Sequence, residues 1–144
     1  MTVVLKVRRL RAGALVPAYM TAGAAGMDLA SADEPITIAP GQRVAIGTGL
    51  ALEIPRGFEG QVRPRSGLAR KHGVTVVNAP GTVDSDYRGE LTVLLVNLGA
   101  ASHSIAPGDR IAQLVIAPVT QVAIEEADAL TTTDRGSGGF GHTG

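Results

Sequence analysis

The stretch that most constrains this chain is Asn78-Ala-Pro-Gly-Thr-Val-Asp-Ser-Asp-Tyr-Arg-Gly-Glu90 with its two flanks. Val74-Thr-Val-Val77 precedes it and Leu91-Thr-Val-Leu-Leu-Val-Asn97 follows it; both are aliphatic and rich in β-branched residues. Two such runs around a turn-rich loop predict a β-hairpin. The tip would carry two carboxylates, Asp84 and Asp86, and one of only four aromatic rings, Tyr87. Loops held by rigid strands are where binding and catalysis concentrate. The competing reading is a polar tip in which Asp serves only the turn.

Composition narrows the fold and the function. A length of 144 residues predicts one domain, large enough to bury roughly two thirds of its unfolded surface. Aromatic residues make up 3% and Trp is absent, so the core must be Val, Ile, Leu and Ala. Lys+Arg and Asp+Glu balance at 13 each. A general nucleic-acid binder carries a basic excess, so no nucleic-acid partner is expected. Eleven of the 13 basic residues are Arg. That fits forked recognition of phosphate or carboxylate, and equally a GC-rich coding bias. With no Cys there is no disulfide and no thiolate metal site. No apolar run approaches the ~20 residues of a membrane span. The start, Met1-Thr-Val-Val-Leu-Lys-Val-Arg-Arg9, alternates and lacks a cleavage pattern. A cytoplasmic protein without membrane contact is the expectation.

Taken in order, Thr2 to Arg9 predicts a strand. Ala22-Gly-Ala-Ala-Gly-Met-Asp-Leu-Ala30 permits close backbone approach and sets Asp28 before an apolar patch. Pro40-Gly41 fits the centre of a type II turn, between strands at 36–38 and 43–54. Ile38-Ala-Pro-Gly-Gln-Arg-Val-Ala45 is echoed by Ile105-Ala-Pro-Gly-Asp-Arg-Ile-Ala112. Two such corners suit a two-sheet β fold. Residues 59–64 predict a short strand, and Arg65-Ser-Gly-Leu-Ala-Arg-Lys-His72 the one helix. Ser66 is its expected N-cap and Gly73 its expected stop. An Arg, a hydroxyl and a Gly at a helix start suit an anion. Residues 110–118 predict a long strand in which Gln113 either faces solvent or serves a site, since a buried amide needs partners.

Five of the last ten residues are Gly, so residues 131–144 are expected to be a flexible arm. Gly136-x-Gly138-x-x-Gly141 has no helix to follow it, which rejects the dinucleotide fingerprint. Bare N–H groups, Arg135, hydroxyls and Phe140 could instead wrap phosphates and lay a ring on a flat base.

The whole chain resembles the trimeric deoxyuridine triphosphatases (dUTPases). Five ordered motifs carry the resemblance: Ala25-Gly-Met-Asp-Leu29, Pro64-Arg-Ser-Gly-Leu-Ala69, Gly81-Thr-Val-Asp-Ser-Asp-Tyr-Arg-Gly89, Gly108-Asp-Arg-Ile-Ala-Gln113 and Arg135-Gly-Ser-Gly-Gly-Phe-Gly-His-Thr-Gly144. The resemblance implies an all-β, jelly-roll-type β-sandwich of the β-clip kind over residues 1–130, with one short helix and the arm 131–144. It implies a homotrimer with shared active sites that hydrolyses dUTP to dUMP and pyrophosphate with Mg²⁺. That reaction keeps uracil out of DNA and supplies dUMP for thymidylate synthesis.

By motif, Asp84 would activate the water that attacks the α-phosphorus, as a carboxylate on a rigid loop can accept its proton. Asp28 would reach Mg²⁺ through water, an ion that keeps several of its waters. Arg65, Ser66, Gly67 and Gln113 would hold phosphates. Asn78, Gly81 and the backbone at Thr82 and Val83 would read the uracil edge, with Thr92 beside them. Tyr87 would lie against the deoxyribose and exclude a 2′-hydroxyl. Phe140 would stack on uracil while Arg135, Gly141 and Thr143 close over the triphosphate. Two residues depart from the family pattern: His142 stands where Ser is usual, and Met27 where Tyr is common. A deoxycytidine triphosphate deaminase on the same fold would need a Glu base near the pyrimidine and a Ser-Ser-type phosphate motif, where this chain has Pro64-Arg-Ser66. A non-catalytic nucleotide-binding sandwich is disfavoured by intact Asp28, Asp84 and Tyr87.

Overall fold

The structure, a computed structural model, describes residues 2–144. Its elements are β1 (Lys6–Arg9), β2 (Met27–Ala30), β3 (Ile36–Ile38), β4 (Arg43–Glu53), β5 (Phe58–Arg63), α1 (Ser66–His72), β6 (Val74–Val76), β7 (Gly81–Val83), β8 (Glu90–Asn97), β9 (His103–Ile105) and β10 (Arg110–Pro118). One four-stranded sheet has the order β1-β4-β8-β6, another β2-β10-β5-β7, and β3 and β9 form a separate ribbon. All pairings are antiparallel. Among the described residues no helix is long and apolar enough to cross a membrane.

The core is aliphatic, as a chain without Trp requires. Ile46, Leu52, Leu91, Val93 and Leu95 from the first sheet join Leu29, Val62, Val83 and Leu114 from the second in one cluster. β8 shows how. Leu91, Val93 and Leu95 alternate inward while Thr92 and Leu94 face out, the period-two rule of a half-buried strand.

The echoed segments form matching corners whose strands pair with each other. Ile36 lies opposite Ile105, Thr37 opposite Ser104 and Ile38 opposite His103. At one corner the Ala39 N–H donates to the Gln42 side chain at 2.9 Å; at the other the Ala106 N–H donates to Asp109 at 2.8 Å. Gly41 and Gly108 carry φ of 79° and 88°, the left-handed turn conformation that favours glycine.

Asn97 ties these parts together. It is fully buried at the end of β8. Its amide donates to the carbonyls of Ile38 at 2.9 Å and Ala101 at 2.8 Å, and its oxygen accepts the Gly99 N–H at 2.8 Å. Its backbone meets Gly41 and Gln42.

Three expectations are corrected. The first strand starts at Lys6, which pairs with Glu53 at the end of β4, so residues 2–5 have no ladder beside them. Ser66 is already helical. Arg65 occupies the N-cap position with no side-chain cap bond, because a guanidinium has no acceptor for the free helix N–H groups; it reaches Asp28 and donates to the Arg110 carbonyl. Gly73 does end the helix, donating its N–H to Ala69. The expected hairpin forms, with Val76 opposite Leu95, but its loop is no simple tip. Residues 81–83 cross to the second sheet as β7 and pair with β5.

Two predictions follow from this packing. Asn97→Ala removes three hydrogen bonds and takes this partner from the buried Ile38 carbonyl, so it lowers stability by about 1 to 3 kcal/mol, read as a drop in Tm by calorimetry. His103 on β9 stands against His72 at the end of α1, with ring centroids 4.4 Å apart. Burial first, and repulsion from His72 second, hold its imidazole below the usual value of 6.5, with Asp109 pulling the other way. The unfolded chain therefore takes up this proton before the folded one, and stability falls as pH drops below 6.5. His103→Gln flattens that limb of the pH profile of Tm; an unchanged profile contradicts the assignment.

Candidate active site

The segment between β7 and β8 has one end in each sheet. Val83 pairs with Gly60 of β5, and Glu90 with Ala51 of β4. Residues 84–89 thus bridge the two layers, anchored at both ends. Within them the Tyr87 N–H donates to the Asp84 carbonyl at 3.1 Å, closing a turn. The Arg88 guanidinium donates to the Ser85 carbonyl at 2.6 Å. The Tyr87 hydroxyl donates to the Glu90 carbonyl at 2.9 Å.

Beside this bridge lies a cleft of about 280 Å³ lined by Val62, Asn78, Gly81, Thr82, Val83, Asp84, Tyr87, Glu90, Leu91, Thr92 and Leu94. Seven residues expected at a site therefore meet in one place: Asn78, Gly81, Thr82, Val83, Asp84, Tyr87 and Thr92. At its wall Gly81 brings the chain close to the Asn78 amide, which would lie 3.1 Å from any Cβ there. Thr82 faces outward between buried Gly81 and Val83. Asp84 is exposed and also borders a wider opening with Arg56, Phe58, Asp86 and Arg88.

A second group forms around Asp28. In β2 it lies opposite Gln113 of β10. Its carboxylate oxygens lie 3.4 Å from the Arg65 Nε and 3.4 Å from the Arg110 Nη1. Gln113 is half-buried and its amide donates to the Pro64 carbonyl at 3.1 Å. The expectation left Gln113 either at the surface or in a site; it borders a shallow opening with Pro64, Ala79 and Pro80. Ser66 and Gly67 are exposed on the first turn of α1. This group combines two or more guanidiniums, an amide and a hydroxyl, a donor set for phosphate. No member of it lines the cleft that holds Asp84.

The arm residues reach neither place. Phe140 is fully exposed, the Arg135 Nε donates to the Gly138 carbonyl at 2.7 Å, and Gly141 and Thr143 lie exposed near the end of the chain.

Two participants had no role assigned from sequence. Arg110 adds a second cation to Asp28, and only the neighbouring β2 and β10 strands bring it there. Glu90 lines the cleft while its carboxylate is held by the Arg11 guanidinium and by the Gly49 N–H at 3.0 Å. No local pattern could reveal that pair, which spans 79 positions.

Asp28 is one carboxylate between two guanidiniums, and among the described residues no group of three or more His, Asp or Glu is placed to hold a metal. That donor set does not make a cage. It fits an ion held chiefly by phosphate oxygens and water, as Mg²⁺ is in nucleotide sites.

Comparison with known proteins shows the family and the fold. The dUTPase family model matches residues 13–144. A deoxyuridine 5′-triphosphate nucleotidohydrolase of Rhizobium meliloti (strain 1021) is 66% identical over 132 residues, covering 90% of this chain and 82% of that protein. One from Syntrophotalea carbinolica is 57% identical over 144 residues, covering 99% of this chain and 98% of that protein. Among solved structures, a Staphylococcus bacteriophage 80alpha dUTPase variant with dUpNHpp superposes with a TM-score of 0.91 at 27% identity, covering 99% of both chains. A dUTPase variant from phage phi11 of S. aureus, described with a structural Mg(II) ion, gives 0.81 at 26% identity, over 88% of this chain and 97% of that one. The two-sheet architecture is thus the jelly-roll, β-clip fold of these neighbours, and the chain belongs to the dUTPase family.

Proposed function

We propose that this protein hydrolyses dUTP to dUMP and pyrophosphate, working on the free nucleotide pool of the cytoplasm. The observation that carries the proposal is the cleft between β7 and β8, which gathers Asn78, Gly81, Thr82, Val83, Asp84, Tyr87 and Thr92. A backbone edge and an amide at its wall suit uracil, whose donor and acceptor pattern differs from that of cytosine. A wall this close leaves no room for a methyl group. Tyr87 lies against the deoxyribose. Asp84 takes the proton of a water whose oxygen bonds to the α-phosphorus, while the bond to the bridging oxygen breaks and pyrophosphate leaves.

Arg65, Ser66, Gly67 and Gln113 hold the phosphates, and Asp28 meets Mg²⁺ through water. When bound, the ion neutralises and orients the triphosphate. The arm 131–144 closes over the nucleotide, with Phe140 on the base and Arg135, Gly141 and Thr143 on the phosphates. Such an arm needs a ligand with several charges and a flat face, since ordering it costs about 1 to 2 kcal/mol per residue.

The working form in this reading is a homotrimer in which one subunit's cleft faces another's Asp28–Arg65 group. Three features support it. Within one chain the two groups line different openings. The arm residues reach neither. Apolar side chains before the arm stand in solvent, Val122 at 73% and Ile124 at 94% exposure, which assembly would cover. A deaminase reading is disfavoured because the one Glu in the cleft, Glu90, is already engaged by Arg11 and Gly49.

Two measurements test the proposal. Asp84→Asn binds dUTP within a few-fold of the parent but turns it over about 10² to 10⁴ times more slowly; near-normal turnover removes Asp84 from the mechanism. Arg65→Ala is also expected to be nearly inactive. Mixing the two variants under conditions that exchange subunits restores turnover at about a quarter of the sites, because half the subunits supply each intact part. No recovery in demonstrably mixed trimers means that each site is built within one chain.

A further inference from the structure

β4 departs from its ladder opposite the start of β8. Gly47 pairs with Thr92, but the next paired residue, Ala51, faces Glu90. Four steps on one strand therefore answer two on the other, a bulge. Such a break frees backbone groups that must find other partners, and at Gly47 and Gly49 they do. The Gly47 N–H donates to Asp33 at 2.7 Å and the Gly49 N–H to Glu90 at 3.0 Å. The carbonyls of Gly47 and Gly49 accept the N–H groups of Ala32 at 2.9 Å and Leu10 at 2.7 Å. The buried Thr48 hydroxyl donates to the Leu91 carbonyl at 2.6 Å.

One guanidinium spans both carboxylates. Arg11 Nη1 lies 2.8 Å from Asp33, and Nη2 pairs with Glu90. The cluster sits directly on Gly47, where any Cβ would meet the Glu90 and Arg11 side chains. The Gly47 N–H and then Arg11 hold the Asp33 carboxyl below the usual carboxylate value. Asp33 is therefore ionised beside the Arg11 guanidinium at neutral pH.

Glu90 connects this cluster to the cleft. Its side chain is fixed by Arg11 and Gly49, and its carbonyl receives the Tyr87 hydroxyl at 2.9 Å. Tyr87 is 47% exposed. Its ring lies back over Gly89, where a Cβ would collide with it. The hydroxyl bond to Glu90 is its one side-chain hydrogen bond among the described residues. We infer that Arg11, through Asp33 and Glu90, is a positioning residue that fixes the Tyr87 ring in the cleft and so sets the discrimination between a deoxyribose and a ribose. This rests on the proposed contact between Tyr87 and the sugar. Removing Arg11 takes away one of the two anchors of the Glu90 side chain; Glu90 shifts at the bulge, and the phenol loses a fixed acceptor. A loosened ring admits a 2′-hydroxyl.

The test uses Arg11→Gln, with Asp33→Asn as a second variant that keeps an oxygen for the Gly47 N–H. Both are made in the full chain carrying Tyr19→Phe, so that Tyr87 is the only tyrosine in a protein without Trp. The ratio of kcat/KM for dUTP to that for UTP is expected to fall about tenfold in Arg11→Gln. The fall comes mainly through better use of UTP, with kcat for dUTP within about threefold of the parent. Asp33→Asn shifts the ratio the same way by less. Tyr87 fluorescence changes in both as the hydroxyl leaves its carbonyl. A lower Tm with an unchanged ratio and unchanged fluorescence overturns the inference and leaves the cluster a purely structural one. If Tyr87→Phe and Tyr87→Ala leave the parent's ratio untouched, the sugar contact itself is wrong. The fluorescence of the Arg11 variant then decides separately whether Arg11 holds the ring.

Discussion

The aliphatic contact between the two four-stranded sheets is what everything else in this molecule depends on. Ile46, Val93 and Leu95 on one side and Leu29 and Leu114 on the other are completely buried. Each contributes about 1.5 to 3 kcal/mol by leaving water. With so few aromatic rings, this layer must be assembled from many medium-sized side chains, and it closes only when both sheets are present. The loop 84–89 is anchored in both sheets, so its conformation is fixed by that contact and not by its own sequence. Asp84 is exposed on a loop held at both ends, which suits the role proposed for it, where a carboxylate meets water and a phosphorus in one geometry.

A sandwich of short strands breaks its ladders often, and each break exposes backbone donors and acceptors. Here side chains meet them. Gln42 and Asp109 close the two corners, Asn97 joins the end of β8 to the β3 corner, and Asp33 and Glu90 occupy the bulge in β4. Among the described residues no buried side-chain nitrogen or oxygen lacks a partner. Polar side chains at these breaks do two jobs. They offset the cost of unpaired backbone groups, and they tie down the neighbouring chain, as the Glu90 side chain does beside the backbone carbonyl that accepts the Tyr87 hydroxyl.

The two groups of candidate site residues differ in how they are held. Those around the cleft depend on backbone position: strand register, a turn, and a glycine that permits close approach. Those around Asp28 depend on charge. The Arg65 and Arg110 guanidiniums share one carboxylate at 3.4 Å, a loose pairing that a triphosphate could exchange at little cost, because partly exposed ion pairs are worth little. Under the proposed function, that division suits a ligand with one flat, neutral end and one highly charged end.

The sequence alone determined the local features. The aliphatic, β-branched run 91–97 marked β8, the boundaries of β10 were legible from its aliphatic run, and Pro-Gly marked both corners. Gly73 marked the end of α1. The loop by itself singled out Asp84 and Tyr87, and the family resemblance supplied the other motif residues of the cleft before their grouping was known, because a motif is written in neighbouring positions. Tertiary structure alone decided what depends on distant pairing. It drew residues 81–83 into the second sheet, moved the N-cap role from Ser66 to Arg65, and brought Arg110 to Asp28 across 82 positions and Arg11 to Glu90 across 79. The physical reason is common to all four. Strand register and bulges are set by which faces can be buried together. That is a property of the packed sheets, and no single stretch of chain contains it.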